Sequence, residues 1–237
     1  MHIGILQTGH APEPLIPEHG DYGELFPRLL AGRGFTFSTW SVVDGDFPES
    51  VHDAEGWLLT GSRHGAYDDL PWIPPLEEFI RKAYAAGVPL VGICFGHQII
   101  AQALGGKVEK HPGGWIIGRQ EYDFSNGLGR LALNAWHQDQ VVELPEGAQV
   151  VASHPGCPYA ALAYEGDRAY TIQPHPEFDA RFIEGLMRTR GPGNVPEPLL
   201  EAAEAELGKP VDQARFADSI AEFFHRAKNR QDMAASG

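Results

Sequence analysis

The sequence predicts an α/β fold: a mostly parallel open sheet with helices on both faces, extended by antiparallel strands. Three observations carry this reading. Apolar strand-like runs alternate with helix-period segments through the first hundred residues, the order that winds a parallel sheet with helices across it. Pro89–Ile93 (PLVGI) is apolar without a break, as a strand covered on both faces must be. From Lys107 onward short strand-like stretches follow one another with no helix between them, so antiparallel pairing is expected there.

The elements follow in order. Met1–Gly9 (MHIGILQTG) reads as a buried first strand stopped by glycine. Pro12, Pro14, Pro17 and Gly20 make a loop, after which Tyr22–Ala31 is expected to be helical. Phe35–Val43 has the aromatic and β-branched content of a second strand, and Gly56–Thr60 is a third. Pro74–Ala86 places Leu76, Phe79, Ile80 and Ala83 on one helical face, with proline at the start and Gly87 at the stop. Pro89–Ile93 is the central strand, and a helix over His97–Leu104 ends at Gly105–Gly106. Strand-like stretches then occupy 115–124, 130–136 and 140–144, and Ala169–Gln173 is a further buried strand. From Asp179 to about Arg230 the chain is mostly helical, with Ala217, Ile220, Ala221 and Phe224 forming an i, i+3, i+4, i+7 core stripe. No repeat or dividing linker interrupts the pattern, so one domain over 1–237 is expected, with a C-terminal helical segment at about 197–230.

Composition narrows the function. The 237 residues are 43% hydrophobic and 21% charged, ordinary for a globular protein. A formal net charge of -14 disfavours a nucleic-acid partner, since a phosphate backbone would be repelled. No apolar run of membrane-spanning length occurs, so no membrane association is expected. The N-terminus lacks the basic and apolar regions of a secretory signal, and only two cysteines, Cys94 and Cys157, are present; both point to a cytoplasmic location. The eleven histidines include no HExxH, and no paired Cys-x-x-Cys or glycine-rich phosphate loop appears. No metal and no cofactor are expected.

Two segments carry chemistry. In Val91-Gly92-Ile93-Cys94-Phe95-Gly96-His97-Gln98 a buried strand ends, a nucleophile-capable residue stands between two glycines, and a helix begins. That is the strand-to-helix elbow which thrusts a side chain out at the top of a sheet. A thiol there lies by the unpaired N–H groups of a helix start, which favour the thiolate, and the N–H of Phe95 is aimed at a developing oxyanion. Read alone, Cys94 is equally well an ordinary buried cysteine in a tight turn. The second segment, Gln173-Pro174-His175-Pro176-Glu177-Phe178, follows an apolar strand. Pro176 biases His175 toward extended geometry, where residues two apart point to one side. His175 and Glu177 therefore suit the base and orienter of a nucleophilic set. Open parallel sheets put their sites at the carboxyl ends of strands, so both segments are expected in one crevice.

These segments resemble the class I glutamine amidotransferases. The likeness runs over about Leu58 to Phe178 and rests on GICFGHQ, AQALGGKV (Ala101–Val108) and HPEF. The resemblance implies a flavodoxin-like fold with added antiparallel strands and a Cys94, His175, Glu177 triad that forms a γ-glutamyl thioester with release of ammonia. It further implies oxyanion-hole N–H groups from Gly61 and Phe95, and substrate contacts from Gln98 and from the Trp136-His137-Gln138-Asp139 segment. One departure is Thr60-Gly61-Ser62-Arg63, where many members read Gly-Gly-Pro. Such enzymes usually deliver ammonia to a synthetase, and no synthetase domain fits in this chain, so an unseen synthetase partner is left open. TGSRHGAYDD, GICFGHQ, GGK and WHQDQVVELP are similar to the stand-alone plant γ-glutamyl peptidases, which cut γ-glutamyl bonds in glutathione-like compounds.

The leading expectation is thus a hydrolase of the glutamine side-chain amide, taking a small-molecule substrate. The close alternative is a γ-glutamyl peptidase using the same residues, and a further one is a catalytically silent binding protein. Of the remaining residues, His97 reads as a packing side chain, Cys157 as an inert thiol in a Gly/Pro turn, and His137 with Asp139 as a weaker acid–base candidate. Arg63, Tyr67, Asp68 and Asp69 form a loop near the expected site.

Overall fold

The computed structural model describes residues 1–235. Its first half builds a parallel sheet: β1 (His2–Leu6), β2 (Thr36–Trp40), β3 (Gly56–Leu59) and β4 (Leu90–Ile93). Helices α1 (Ile16–His19), α2 (Tyr22–Leu29), α3 (Ile73–Ala85) and α4 (Phe95–Ala103) connect or follow these strands. The second half supplies β5 (Lys107–Lys110), β6 (Ile116–Phe124), β7 (Gly129–His137), β8 (Asp139–Glu143), β9 (Ala148–His154), β10 (Cys157–Tyr164) and β11 (Ala169–Ile172). Helices α5 (Ala180–Arg190), α6 (Glu197–Glu206) and α7 (Gln213–Ala235) close the chain.

Nine strands form one sheet in the order β2-β1-β3-β4-β11-β10-β9-β6-β7. The five from β2 to β11 pair in parallel, and the rest are antiparallel. Successive side chains of a strand point to opposite faces, and each face is covered. Trp57 and Leu59 pack with Leu76, Ile80, Ile99 and Ile100 from α3 and α4 on one side. Leu58, Val91 and Ile93 pack with Phe26, Phe216, Ile220 and Phe224 from α2 and α7 on the other. Each such fully buried side chain contributes about 1.5–3 kcal/mol. The expected C-terminal stripe is core: Ala217, Ile220 and Phe224 are each 0% exposed.

Three expectations need correction. The strand read at 140–144 forms β8, but it pairs with β5 in a separate two-stranded sheet instead of joining the main one. Cys157 is not in a turn: it is the first residue of β10, opposite His154, in a strand that Pro158 hid from the pattern. A single helical turn, α1, also sits inside the stretch read as loop, starting where Pro17 supplies a preset φ.

The arrangement positions the crevice. β4 and β11 are neighbours in parallel, with Ile93 opposite Ile172, and the Cys94 N–H donates to the Ile172 carbonyl at 2.8 Å. Whatever follows each strand therefore emerges at the same sheet edge, side by side.

Candidate active site

Cys94 follows the last residue of β4 and caps α4 with φ 53° and ψ -102°, one of few positive-φ residues other than glycine. An L-residue is strained there, and such strain is held only where surrounding packing imposes it. The flanking glycines show what imposes it. A Cβ on Gly92 would lie 2.5 Å from the Gly96 carbonyl oxygen and 2.8 Å from the His97 nitrogen. On Gly96 it would lie 2.4 Å from the Leu59 carbonyl oxygen. The helix start is thus pressed onto β3 and β4, and the Gly96 N–H donates to the Thr60 carbonyl at 3.1 Å. Phe95 is the first helical residue, so its N–H is one of those with no partner within the helix.

His175 and Glu177 emerge beyond β11. His175 Nδ1 and Glu177 Oε1 are 2.7 Å apart, both side chains almost wholly buried. The imidazole lies face to face with the Phe178 ring, centroids 4.0 Å apart at 7°, and Phe178 stacks in turn on Phe182 at 4.2 Å. The segment is pinned to β7: the His175 N–H donates to the Asn134 carbonyl at 2.7 Å, and Asn134 Nδ2 donates to the Phe178 carbonyl at 2.8 Å. Asp179 then caps α5 by accepting from the Phe182 N–H at 2.8 Å.

The two segments meet. Burial works against a charged His175, but the Glu177 carboxylate and the hydrogen-bonding Cys94 side chain outweigh it, and the imidazole pKa is raised to about 10. Gly61 sits over the junction: a Cβ there would be 2.8 Å from His175 Cε1 and 3.8 Å from Cys94 Cβ. Its carbonyl is turned into the hydroxyls of Thr60 at 3.0 Å and Thr8 at 3.1 Å, which sets the loop where Gly-Gly-Pro is absent. With Nδ1 engaged by Glu177, Nε2 is the nitrogen left to face the sulfur.

A cavity of about 420 Å³ opens from this junction. Cys94, Gln98, Trp136, His137 and His175 line it, so the expected substrate-contact residues share one space with the thiol. Gln98 is also tied to protein groups, donating to the Asp139 carbonyl at 2.8 Å and approaching Gln173 Oε1 at 3.2 Å. His137 and Asp139 do not form an acid–base pair. The His137 ring meets the Asp139 backbone carbonyl at 3.3 Å, whereas the Asp139 carboxylate accepts from the Tyr67 hydroxyl at 3.1 Å. Burial, aided by the nearby His175 charge, pushes His137 down to about 3 and keeps it neutral. Arg63 and Tyr67 reach the cavity; Asp68 and Asp69 do not line it, and Asp68 accepts from the Gly65 N–H at 2.9 Å. His97 is buried with its Nδ1 2.8 Å from Thr171 Oγ1, as a packing residue. Burial, reinforced by the field of Cys94, raises the Cys157 thiol to about 12, which keeps it protonated and unreactive.

Three features were not singled out in the sequence. Gln173 Nε2 donates toward Cys94 Sγ at 3.6 Å, a position visible only once β11 lies beside β4. Phe178 was read as part of a motif, without its stacking role. Asn134 sits in an apolar strand, RLALNAW, where a lone buried amide was the available signal.

The chain matches the model of the glutamine amidotransferase class-I family over residues 40–184. Gamma-glutamyl peptidase 4 of Arabidopsis thaliana is 32% identical to it, over 87% of this chain and 88% of that protein. A glutamine-hydrolyzing GMP synthase of Thermus thermophilus is 34% identical over 80% of this chain but only 41% of its own length. Among solved structures, a glutamine amido transferase from Methylobacillus flagellatus superposes with a TM-score of 0.74 at 23% identity, covering 96% of this chain and 94% of that one, which establishes likeness of fold.

Proposed function

Since the chain belongs to the glutamine amidotransferase class-I family, an enzyme family, we propose that it hydrolyses the γ-glutamyl amide bond of a small molecule, with Cys94 as nucleophile, His175 as base and acid, and Glu177 as orienter. The observation that carries the reading is the meeting of Cys94 and His175 at one cavity, with Glu177 held against the far side of the imidazole and the charged form of that ring favoured. A cationic imidazole is the setting in which a neighbouring sulfur acts as a thiolate.

In the first half-reaction Cys94 Sγ attacks the γ-carbonyl carbon. The oxygen takes the negative charge and is met by the N–H groups of Phe95 and Gly61. His175 Nε2–H protonates the nitrogen, the C–N bond breaks, and the amine departs, leaving a γ-glutamyl thioester. In the second, neutral His175 takes a proton from water as its oxygen attacks the thioester carbon. The C–S bond breaks, glutamate leaves, and the thiolate–imidazolium pair is restored. Gln98, Trp136 and His137 form the wall against which the glutamyl part rests.

With glutamine as substrate the departing amine is ammonia, and the activity is a glutaminase or the amide-hydrolysing half of an amidotransferase. An acceptor enzyme would then use the ammonia; the glutamine-hydrolyzing GMP synthase of Thermus thermophilus is matched over 41% of its length. A second reading, hydrolysis of γ-glutamyl peptides, is favoured by the size of the cavity, since 420 Å³ accommodates a leaving group larger than ammonia. The test is glutamate release from glutamine and from a γ-glutamyl amide panel, with Cys94→Ser beside the parent and alkylation of Cys94 read by mass spectrometry. Release that disappears in Cys94→Ser supports the reading; no release, with Cys94 inert to alkylation, sinks it and leaves a catalytically silent binding protein.

A further inference from the structure

Acidic residues outnumber basic ones 32 to 18 in this chain, so most cations have carboxylates within reach. Arg33, Arg119, Arg130 and Lys228 are all ion-paired. The cations lining the cavity above Cys94 differ. Arg63, Lys110 and Arg190 all reach it, and none of the three forms an ion pair among the described residues. Arg190 spends one N–H on the His10 carbonyl at 3.2 Å.

These charges come from three separate elements: Arg63 lies two residues beyond Gly61, Lys110 ends β5, and Arg190 ends α5. Arg63 and Arg190 line the same cavity, together with His64. Burial first, then the Arg63 guanidinium and more weakly that of Arg190 lower the His64 pKa against the opposing Asp68 carboxylate, so a further charge on this imidazole is disfavoured. The one carboxylate lining the cavity, Asp139, is held by the Tyr67 hydroxyl and lies in the field of Lys110. A wall of Trp115 against Trp136, centroids 5.9 Å apart, completes the opening. Unpaired guanidinium groups flanking a partly apolar cleft match an anionic group in planar, two-pronged fashion.

We propose that Arg63 and Arg190 form a leaving-group subsite that selects γ-glutamyl amides whose departing amine carries a carboxylate, such as an amino acid or short peptide, over glutamine and neutral γ-glutamyl amides. This rests on the hydrolase reading above. The glutamyl half occupies the floor by Cys94 and Gln98, and the carboxylate of the departing half lies between the two guanidinium groups. Ammonia engages neither, so binding energy available from the rim is not used on glutamine.

The test compares two substrates that differ in one group, γ-glutamylglycine and γ-glutamylglycinamide, on the full chain and on Arg63→Gln and Arg190→Gln. In the parent, kcat/KM for the carboxylate substrate is expected to exceed that for the neutral one by about 10-fold or more, the worth of a charge-assisted pair, and the ratio falls as salt is raised. In each variant the ratio drops toward one while kcat/KM for the neutral substrate is retained, which shows that the variant folds with a working triad. Equal kcat/KM for both substrates in the parent, or a preference that survives both substitutions, overturns the subsite and leaves the hydrolase reading intact. Failure to cleave either substrate or glutamine overturns both.

Discussion

The parallel and antiparallel halves of the sheet hold their shares of the site by different means. In the parallel half, Cys94 is fixed by its own neighbours in sequence. Gly92 and Gly96 let α4 press onto β3 and β4, and the turn between them forces a positive φ on the residue in the middle. His175 follows β11, the strand that joins the parallel half to the antiparallel one, and its local contact with Glu177 is backed by distant ones. Its ring direction comes from Phe178, which is stacked on Phe182 of α5, and its backbone from Asn134 of β7, forty-one residues away by numbering. A nucleophile held by backbone strain tolerates little change close by but is insulated from distant change. A base held by long-range contacts is the reverse.

Exchanging the nucleophile gives the largest effect. Cys94→Ser should lower glutamate release by on the order of 10⁴-fold or more, since a hydroxyl in place of the sulfur is a far weaker nucleophile. Stability, read by urea unfolding, should change by about 1 kcal/mol or less. Full activity in this variant would remove the parallel half from the chemistry.

Next comes Glu177→Gln, expected to cost on the order of 10²-fold in kcat, because the tautomer and charge of His175 are no longer supported. It also tests the charge directly. His175 has a folded pKa raised from 6.5 to about 10, so its protonation contributes stability that is fully present below 6.5 and lost as pH rises through about 10. The parent should therefore lose stability between pH 6.5 and 10. Glu177→Gln should show a flatter curve over the same window. Equal slopes in urea unfolding at stepped pH would mean that the carboxylate does not hold the imidazolium.

The local rule in the parallel half is tested by Gly92→Ala. The added Cβ meets backbone atoms of Gly96 and His97 at 2.5–2.8 Å, and backbone cannot swing aside as a side chain would. A loss of about 3 kcal/mol is expected, near the upper end of overpacking costs, measured as a lower urea midpoint at unchanged slope. A midpoint within error of the parent would show that α4 can retreat from the sheet.

The same contrast explains what was legible in the sequence. β3, β4 and α4, with the elbow between them, follow from apolar runs and glycine spacing within residues 56–103, and the Cys94 reading needed little else. The pairing of His175 with Glu177 was equally local, being set by period-two geometry beside a proline. β10 was missed because a strand that opens Cys-Pro looks like a turn until β9 and β11 are seen on either side of it. The small β5–β8 sheet was missed because strand pattern does not specify a partner. Gln173, Phe178 and Asn134 were unassigned for one reason: each acts across sheet neighbours that sequence separation conceals.

The smallest effect is the one that discriminates best between the halves. Phe178→Leu keeps an apolar side chain and leaves the backbone carbonyl that accepts from Asn134. What it removes is the flat surface under the imidazole and the contact with Phe182, an aromatic term of about 0.5–1.5 kcal/mol. If stacking is what aims the ring, kcat should fall about 10-fold, since small misplacements of a catalytic group cost rate steeply. KM should stay near the parent value, because the Cys94 elbow and the cavity wall by Gln98 and Trp136 are untouched. A fall in KM-governed binding instead would assign Phe178 to the substrate pocket, of which it lines a part. No change in either constant would mean that Glu177 and the Asn134 bridge suffice to fix the ring, and that the long-range hold on the base is shorter than the packing suggests.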